Sequence, residues 1–220
     1  MLTPEFIADA ERLCRAAAPE ITAPVYLMMH PDTLPRPKDC RAYASIDAVV
    51  DIPLRDALVQ QGRWRGPGLC IVFMEFSRVF DDMLGILLHE LAHGLPARKF
   101  FDAIDTPVIR ALHYARAVEW ANDTSPDTDT HGIDFVRACL HLHFRAVWHG
   151  HRTIPPNRLC FAGANYEMSS DYHYRQAIGD EPSRMLDATF SEILAAEPPA
   201  AFSDLWRADL ERRKLLEAAA

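Results

Sequence analysis

The most informative stretch of the chain, residues 69–94, reads LCIVFMEFSRVFDDMLGILLHELAHG. Its first six residues form an apolar run rich in strand-forming residues, which predicts a buried strand over residues 69–74. Ser77 provides a cap for a helix that we expect to end near His93, because Gly94 follows it. The stretch therefore predicts a strand followed directly by a helix with histidine in its last turns.

This predicted helix contains His89-Glu90-Leu91-Ala92-His93, an H-E-x-x-H motif. Positions i and i+4 lie one above the other on one helix face, so the two imidazoles can bind one Zn²⁺. Glu90 lies beside them and can accept a proton from a zinc-bound water, whose pKa the metal lowers to about 7. Random placement of histidine and glutamate produces about 0.02 such motifs in a chain of this composition. The motif predicts a zinc hydrolase with His89 and His93 as ligands and Glu90 as general base.

A catalytic zinc has three protein ligands and one open position, so a third ligand comes from elsewhere in the chain. His131 is the favoured candidate, because it opens a predicted helix over residues 131–148 and precedes Gly132, which allows a close backbone approach. Two alternatives remain open. One is His113, and the other is Glu119, which would complete a site of two histidines and one carboxylate.

Residues 71–93, together with the later His-Gly-Ile-Asp-Phe over residues 131–135, resemble the SprT-like zincin group of metallopeptidases. Members of that group have a strand, a helix with H-E-x-x-H, and a third histidine in an H-G-x-x-F/W context. The resemblance implies a divergent zinc-dependent peptidase whose metal ligands are His89, His93 and His131. It also implies that Glu90 is the general base and that Phe135 occupies the aromatic position of the group's motif.

The resemblance covers roughly residues 69–145, and the chain departs from the group in two respects. The gap before His131 is longer than is usual in the group, which makes residues 97–130 a candidate insertion. The C-terminal cysteine zinc ribbon of many members is missing. The DNA-linked role of some members is therefore not carried over to this chain.

The composition is that of an ordinary globular protein, with 220 residues of which 49% are hydrophobic and 25% charged. The 23 Lys and Arg against 31 Asp and Glu give a net charge of −8, which argues against binding to nucleic acid mainly through phosphates. No apolar run approaches the about 20 residues of a membrane span, and the N-terminal residues lack the apolar core of a secretory signal. The 5 scattered cysteines predict a reducing compartment, the cytoplasm.

We expect a single zincin-like domain over residues 1–220, with residues 150–220 as a candidate C-terminal helical extension. Its predicted class is α+β, mostly helical, with a small mixed sheet beside the H-E-x-x-H helix. The further predicted elements are helices over residues 3–18, 53–61, 106–120 and the last 20 residues, and strands over residues 25–29 and 46–52.

Two further polar segments are candidates for a role in the site. Residues 165–175 are rich in polar aromatics, and such side chains can donate to the oxyanion of a peptidase; the candidates are Tyr172, His173, Tyr174 and Arg175. His141 and His143 lie two residues apart on a predicted helix, so they point to different sides and cannot share a metal.

The expected reaction is hydrolysis of a peptide bond in a protein or peptide substrate, with Zn²⁺ as the cofactor. One alternative is a zinc-binding structural or regulatory protein of a phage or mobile element, which an intact Glu90 disfavours because a structural site needs no base. The other is a zinc hydrolase that acts on a non-peptide amide, which substrate profiling separates from a peptidase.

Overall fold

The computed structural model describes residues 2–32, 42–45, 52–66, 68–74, 80–95, 132–150, 153–159 and 171–219. The strands are β1 (Val25–Met29), β2 (Ala42–Ser45) and β3 (Leu69–Phe73). The helices are α1 (Pro4–Ala17), α2 (Ile52–Gln60), α3 (Phe80–Gly94), α4 (Ile133–Trp148), α5 (Asp171–Ile178), α6 (Glu181–Arg184), α7 (Phe190–Ala195) and α8 (Ala200–Ala219), with a 3-10 turn at Pro156–Arg158. Helices outnumber strands, and the small sheet is mixed, which confirms the predicted α+β class.

β3 is the centre of the three-stranded sheet, whose order is β1-β3-β2. β1 runs parallel to β3 with Val25 opposite Leu69, and β2 runs antiparallel to it with Ala42 opposite Phe73. All residues of β3 are buried. A strand that is covered on both faces is apolar throughout, and this explains why residues 69–74 show no polar alternation.

The two faces of the sheet belong to different parts of the core. Leu69, Ile71 and Phe73 point toward α1, α3 and α4, whereas Cys70 and Val72 point toward α2. This alternation follows from the two-residue period of a strand. The H-E-x-x-H helix α3 therefore packs on one face of the sheet, as the sequence predicts.

α4 connects the N-terminal and C-terminal parts of the protein through buried charged groups. The Arg137 guanidinium lies 2.6 Å from the Glu181 carboxylate, and His141 contacts the same carboxylate at 2.9 Å. Nearer the C-terminal end of α4, Arg145 pairs with Glu20 at 2.9 Å. Removing one member of such a buried pair leaves an uncompensated charge, which is strongly destabilising.

The helices α5, α7 and α8 share the main core with α1, α3 and α4. Their buried apolar side chains include Tyr174, Phe190, Phe202 and Trp206. α8 is 20 residues long and carries many charged side chains in its second half. In the described part of the chain, no helix is both long and apolar enough to cross a membrane.

The structure corrects two element positions. The strand predicted over residues 46–52 is wrong at its end, because Ile52 begins α2; residues 46–51 lie outside the described part. The described strand lies earlier, at β2, where the sequence Ala-Tyr-Ala-Ser has modest strand propensity and pairing with β3 determines the conformation. The helix predicted over residues 131–148 begins at Ile133, because Gly132 is its extended N-cap and glycine disfavours a helix interior.

Candidate metal centre

α3 places the motif in the interior of the protein. Its apolar residues from position 83 onward are buried: Met83, Leu84, Ile86, Leu87, Leu88, Leu91 and Ala92. Two polar side chains share that burial, since His89 is 9% exposed and Glu90 is 6% exposed. Carboxylates are rarely buried in proteins, because desolvation of the charge is costly without a partner. Glu90 is therefore a buried carboxylate that directly follows His89 on the same helix.

The two imidazoles of the motif have a separation that fits one shared metal. The ring centroids of His89 and His93 lie 5.1 Å apart, with an interplanar angle of 76°. A zinc–nitrogen bond of about 2.0–2.1 Å places a ring centre about 3.2 Å from the metal, so tetrahedral ligation separates two ring centres by about 5.2 Å. The observed centroid separation of 5.1 Å is therefore close to the value for two imidazoles on one tetrahedral zinc.

The hydrogen bond of His89 fixes its tautomer. Nδ1 of His89 lies 3.0 Å from the carbonyl oxygen of Leu159. A carbonyl oxygen can only accept, so Nδ1 carries the proton and donates it. In the neutral ring the lone pair is then on Nε2, the nitrogen that would bind a metal. Zinc-binding histidines commonly donate their second N–H to a carbonyl or carboxylate in this way.

Residues 153–159, hereafter the 153–159 segment, lie directly against α3. Asp82 and Arg158 form an ion pair at 2.6 Å. At Gly85 a Cβ atom would lie 2.2 Å from the Arg158 carbonyl oxygen, so only glycine allows the segment to approach this closely. Positions 82, 85 and 89 form one stripe of the helix. The close approach at Gly85 thus brings the Leu159 carbonyl within reach of His89 one turn later.

Phe135, near the start of α4, contacts both imidazoles. Its ring centroid lies 4.8 Å from that of His89 and 4.4 Å from that of His93, and it is stacked on the latter with an interplanar angle of 28°. Such close packing restricts the rotation of both rings. The N-terminal end of α4 is therefore adjacent to the candidate metal centre.

The three candidates for the third ligand, His131, His113 and Glu119, lie outside the described residues. Ser77 and the helix predicted over residues 106–120 also lie outside them. Within the described ranges, no three His, Cys, Asp or Glu side chains form a group that could hold a metal. The described part of the site therefore consists of His89, His93 and Glu90 with their supporting neighbours.

Two of the predicted oxyanion donors are engaged elsewhere. The Tyr174 hydroxyl donates to Asp209 at 2.6 Å, and burial together with this carboxylate raises the pKa of Tyr174. Arg175 donates to Nδ1 of His143 at 2.8 Å. Tyr172 is exposed and its hydroxyl accepts from Gln176. Tyr174 in particular supports the core rather than a reaction site.

His141 and His143 point to different sides of α4, as predicted. His141 contacts Glu181, whereas Nε2 of His143 contacts the carbonyl oxygen of Ile154. Burial lowers the pKa of both rings, that of His143 to about 4. Each imidazole has a different set of partners, so the pair forms no shared metal site.

Two supporting features were missed in the sequence: the Leu159 carbonyl and the close approach at Gly85. A backbone carbonyl 70 positions from His89 leaves no mark in a residue pattern. Gly85 does leave one, because a glycine inside a helix costs about 1 kcal/mol relative to alanine and points to a packing reason.

Comparison of the chain with protein-family models, with curated proteins and with solved structures finds no match.

Proposed function

We propose that the chain is a zinc-dependent metallopeptidase with a zincin-like, SprT-like fold. His89 and His93 are the ligands from α3, and His131 is the third ligand. The observation that carries the proposal is the pair of imidazoles 5.1 Å apart beside the buried Glu90. Phe135 supports the choice of His131, because it contacts both rings and follows His131 by four positions in the chain.

Bound zinc would lower the pKa of a coordinated water to about 7 and polarise the scissile carbonyl. Glu90 accepts the proton of the attacking water and transfers it to the leaving amine. His89 keeps its orientation through the hydrogen bond from Nδ1 to Leu159. Phe135 restricts both rings and, as an apolar side chain, excludes water from their faces.

The substrate we propose is an extended segment of a protein or peptide. β3 occupies the centre of the described sheet, so β1 and β2 are its edges, and β2 also contacts α3. A peptide can add to such an edge through main-chain hydrogen bonds, which accept many side-chain sequences. We propose β2 as the edge that receives the substrate.

We propose the cytoplasm as the compartment, from the pattern of cysteines. Cys14, Cys70 and Cys139 are buried cysteines. Burial raises the pKa of Cys14 to about 12, so this thiol is protonated and unreactive at neutral pH. These residues act as small apolar side chains, a role that suits a reducing environment.

The test of the proposed function is Glu90→Gln, with Glu197→Gln as the matched control at an exposed carboxylate. Glutamine is nearly isosteric with glutamate and cannot accept the proton, so we expect cleavage of a peptide library to fall by at least about 10²–10⁴-fold. Zinc content should stay at the level of the parent in both variants. Cleavage by Glu90→Gln at the rate of the parent would contradict a catalytic role for Glu90.

A parent that binds zinc but cleaves neither peptides nor small amides would favour the non-catalytic zinc protein. A parent that cleaves small amides but no peptide would favour the hydrolase of non-peptide amides. The peptide library and a panel of small amide substrates, assayed side by side with the two variants, separate the three activities.

A further inference from the structure

The 153–159 segment is held at both ends, and its two anchors involve histidines from different helices. At one end the Leu159 carbonyl accepts from Nδ1 of His89. At the other end the carbonyl of the buried Ile154 contacts Nε2 of His143 on α4. His143 thus contacts one end of the segment, and the other end contacts the motif.

The chemistry of its two partners fixes the tautomer of His143. The Ile154 carbonyl can only accept, so Nε2 of His143 carries the proton. The Arg175 guanidinium can only donate, so Nδ1 of His143, 2.8 Å away, accepts. The ring is 1% exposed. His143 is therefore a neutral ring with one nitrogen committed to each neighbour, which is a rigid connection between α4, α5 and the segment.

The segment itself transmits a displacement because it has little conformational freedom. It contains Pro155 and Pro156, whose rings fix their φ angles, and a 3-10 turn follows over Pro156–Arg158. The two anchored carbonyls, of Ile154 and Leu159, are only five positions apart in the chain. We therefore expect a movement of Ile154 to move the Leu159 carbonyl and so to change the hydrogen bond of His89.

We propose that His143 is a positioning residue for the metal centre, and that it acts on His89 through the 153–159 segment, with Arg175 holding the His143 tautomer. This inference rests on the proposed function for its meaning in catalysis. It assigns to α5, in the C-terminal part of the chain, a connection to a site built on α3 and α4. His143 touches neither substrate nor metal in this role.

The experiment compares two buried histidines of the same helix in the full chain. His143→Leu removes both hydrogen bonds of the ring, and His143→Gln restores a donor for Ile154. His141→Leu is the matched control, because His141 is equally buried and bonds to Glu181 instead of the segment. The first readout is the tautomer of His89, from long-range proton–nitrogen NMR of histidine rings in metal-free protein. The second is the dissociation constant for Zn²⁺, from competition with a chelator.

We expect the parent to show His89 with the proton on Nδ1. In His143→Leu the His89 signals should move toward a mixture of tautomers and the dissociation constant should rise about tenfold, the lower range for loss of a supporting contact. His143→Gln should largely restore the His89 tautomer and the zinc affinity of the parent. His141→Leu should leave the tautomer and the affinity unchanged. A folded His143→Leu protein with the His89 tautomer and zinc affinity of the parent would overturn the proposal.

If His143→Leu does not fold, Arg175→Met provides the test, because Arg175 lies at the surface. The loss of its donor should move the His89 signals in the same direction by a smaller amount, and unchanged signals would overturn the proposal. If the parent binds no zinc but His143→Leu still changes the tautomer of His89, only the proposed function is contradicted. If the parent binds zinc but the tautomer of His89 is the same in His143→Leu as in the parent, only the positioning role is contradicted.

Discussion

Gly85→Ala is the substitution whose effect on the metal centre follows most directly from the structure. The added Cβ would lie 2.2 Å from the Arg158 carbonyl oxygen and 2.6 Å from its carbonyl carbon. Backbone atoms cannot rotate away as a side chain does, so the 153–159 segment must move by about 1 Å to reach ordinary van der Waals contact. That movement lengthens the 3.0 Å contact between His89 and Leu159 toward about 4 Å, beyond hydrogen-bond range.

The stability change combines three terms of similar size. Forcing an extra methyl group into a packed interface costs about 1–3 kcal/mol. Alanine regains about 1 kcal/mol of helix propensity over glycine, and the lost hydrogen bond costs about 1 kcal/mol. We therefore expect the free energy of unfolding to fall by about 1–3 kcal/mol. Zinc affinity should fall about tenfold, because the contact that orients His89 is lost.

The assay is urea unfolding together with chelator competition for zinc, with Gly62→Ala as the control. Gly62 has a φ of +67° and no atom within 4 Å of an added Cβ, so its substitution costs about 1–2 kcal/mol through backbone strain alone. Gly62→Ala should lower stability and leave zinc affinity unchanged. Equal zinc affinity in the Gly85→Ala and Gly62→Ala proteins would refute the reasoning that the segment orients His89.

Two further predictions concern the third ligand and the dependence of stability on pH. His131→Ala should weaken zinc binding strongly, whereas His113→Ala and Glu119→Ala should not; loss of the metal in Glu119→Ala alone would show a site of two histidines and one carboxylate. Burial lowers the pKa of His143 to about 4 from 6.5, so the unfolded chain binds more protons than the folded one between these values. The free energy of unfolding should therefore fall as the pH drops from about 6.5 to about 4, by about 3 kcal/mol from this residue. Urea unfolding of the parent and His143→Gln across that range measures it, and identical slopes would contradict it.

Local signals in the sequence predicted the elements that carry the motif. The apolar run from Leu69 and the terminal Gly94 placed β3 and α3 to within a few residues. The helix predicted over residues 3–18 is α1, and at its start the Thr3 hydroxyl accepts from the Phe6 amide. Such signals act within a few residues of each other, so a single sequence contains them in full.

Contacts between distant residues explain what the sequence did not predict. The Leu159 carbonyl supports His89, and Glu181 neutralises Arg137, yet neither partner is marked in the sequence near the residue it serves. β2 depends on pairing with β3 more than on its own residues. These features arise from packing of elements against one another, which residue periodicity does not encode.

The most direct test of the account is the zinc stoichiometry of the full chain, measured by native mass spectrometry after loading with Zn²⁺ and removal of excess metal. The parent should carry one zinc per chain, and His89→Ala and His93→Ala should carry none. His149→Ala, at an exposed histidine beyond the end of α4, should retain the metal and controls for loss of a surface imidazole. Retention of zinc by both His89→Ala and His93→Ala, or a parent that binds none, would contradict the assignment of this site.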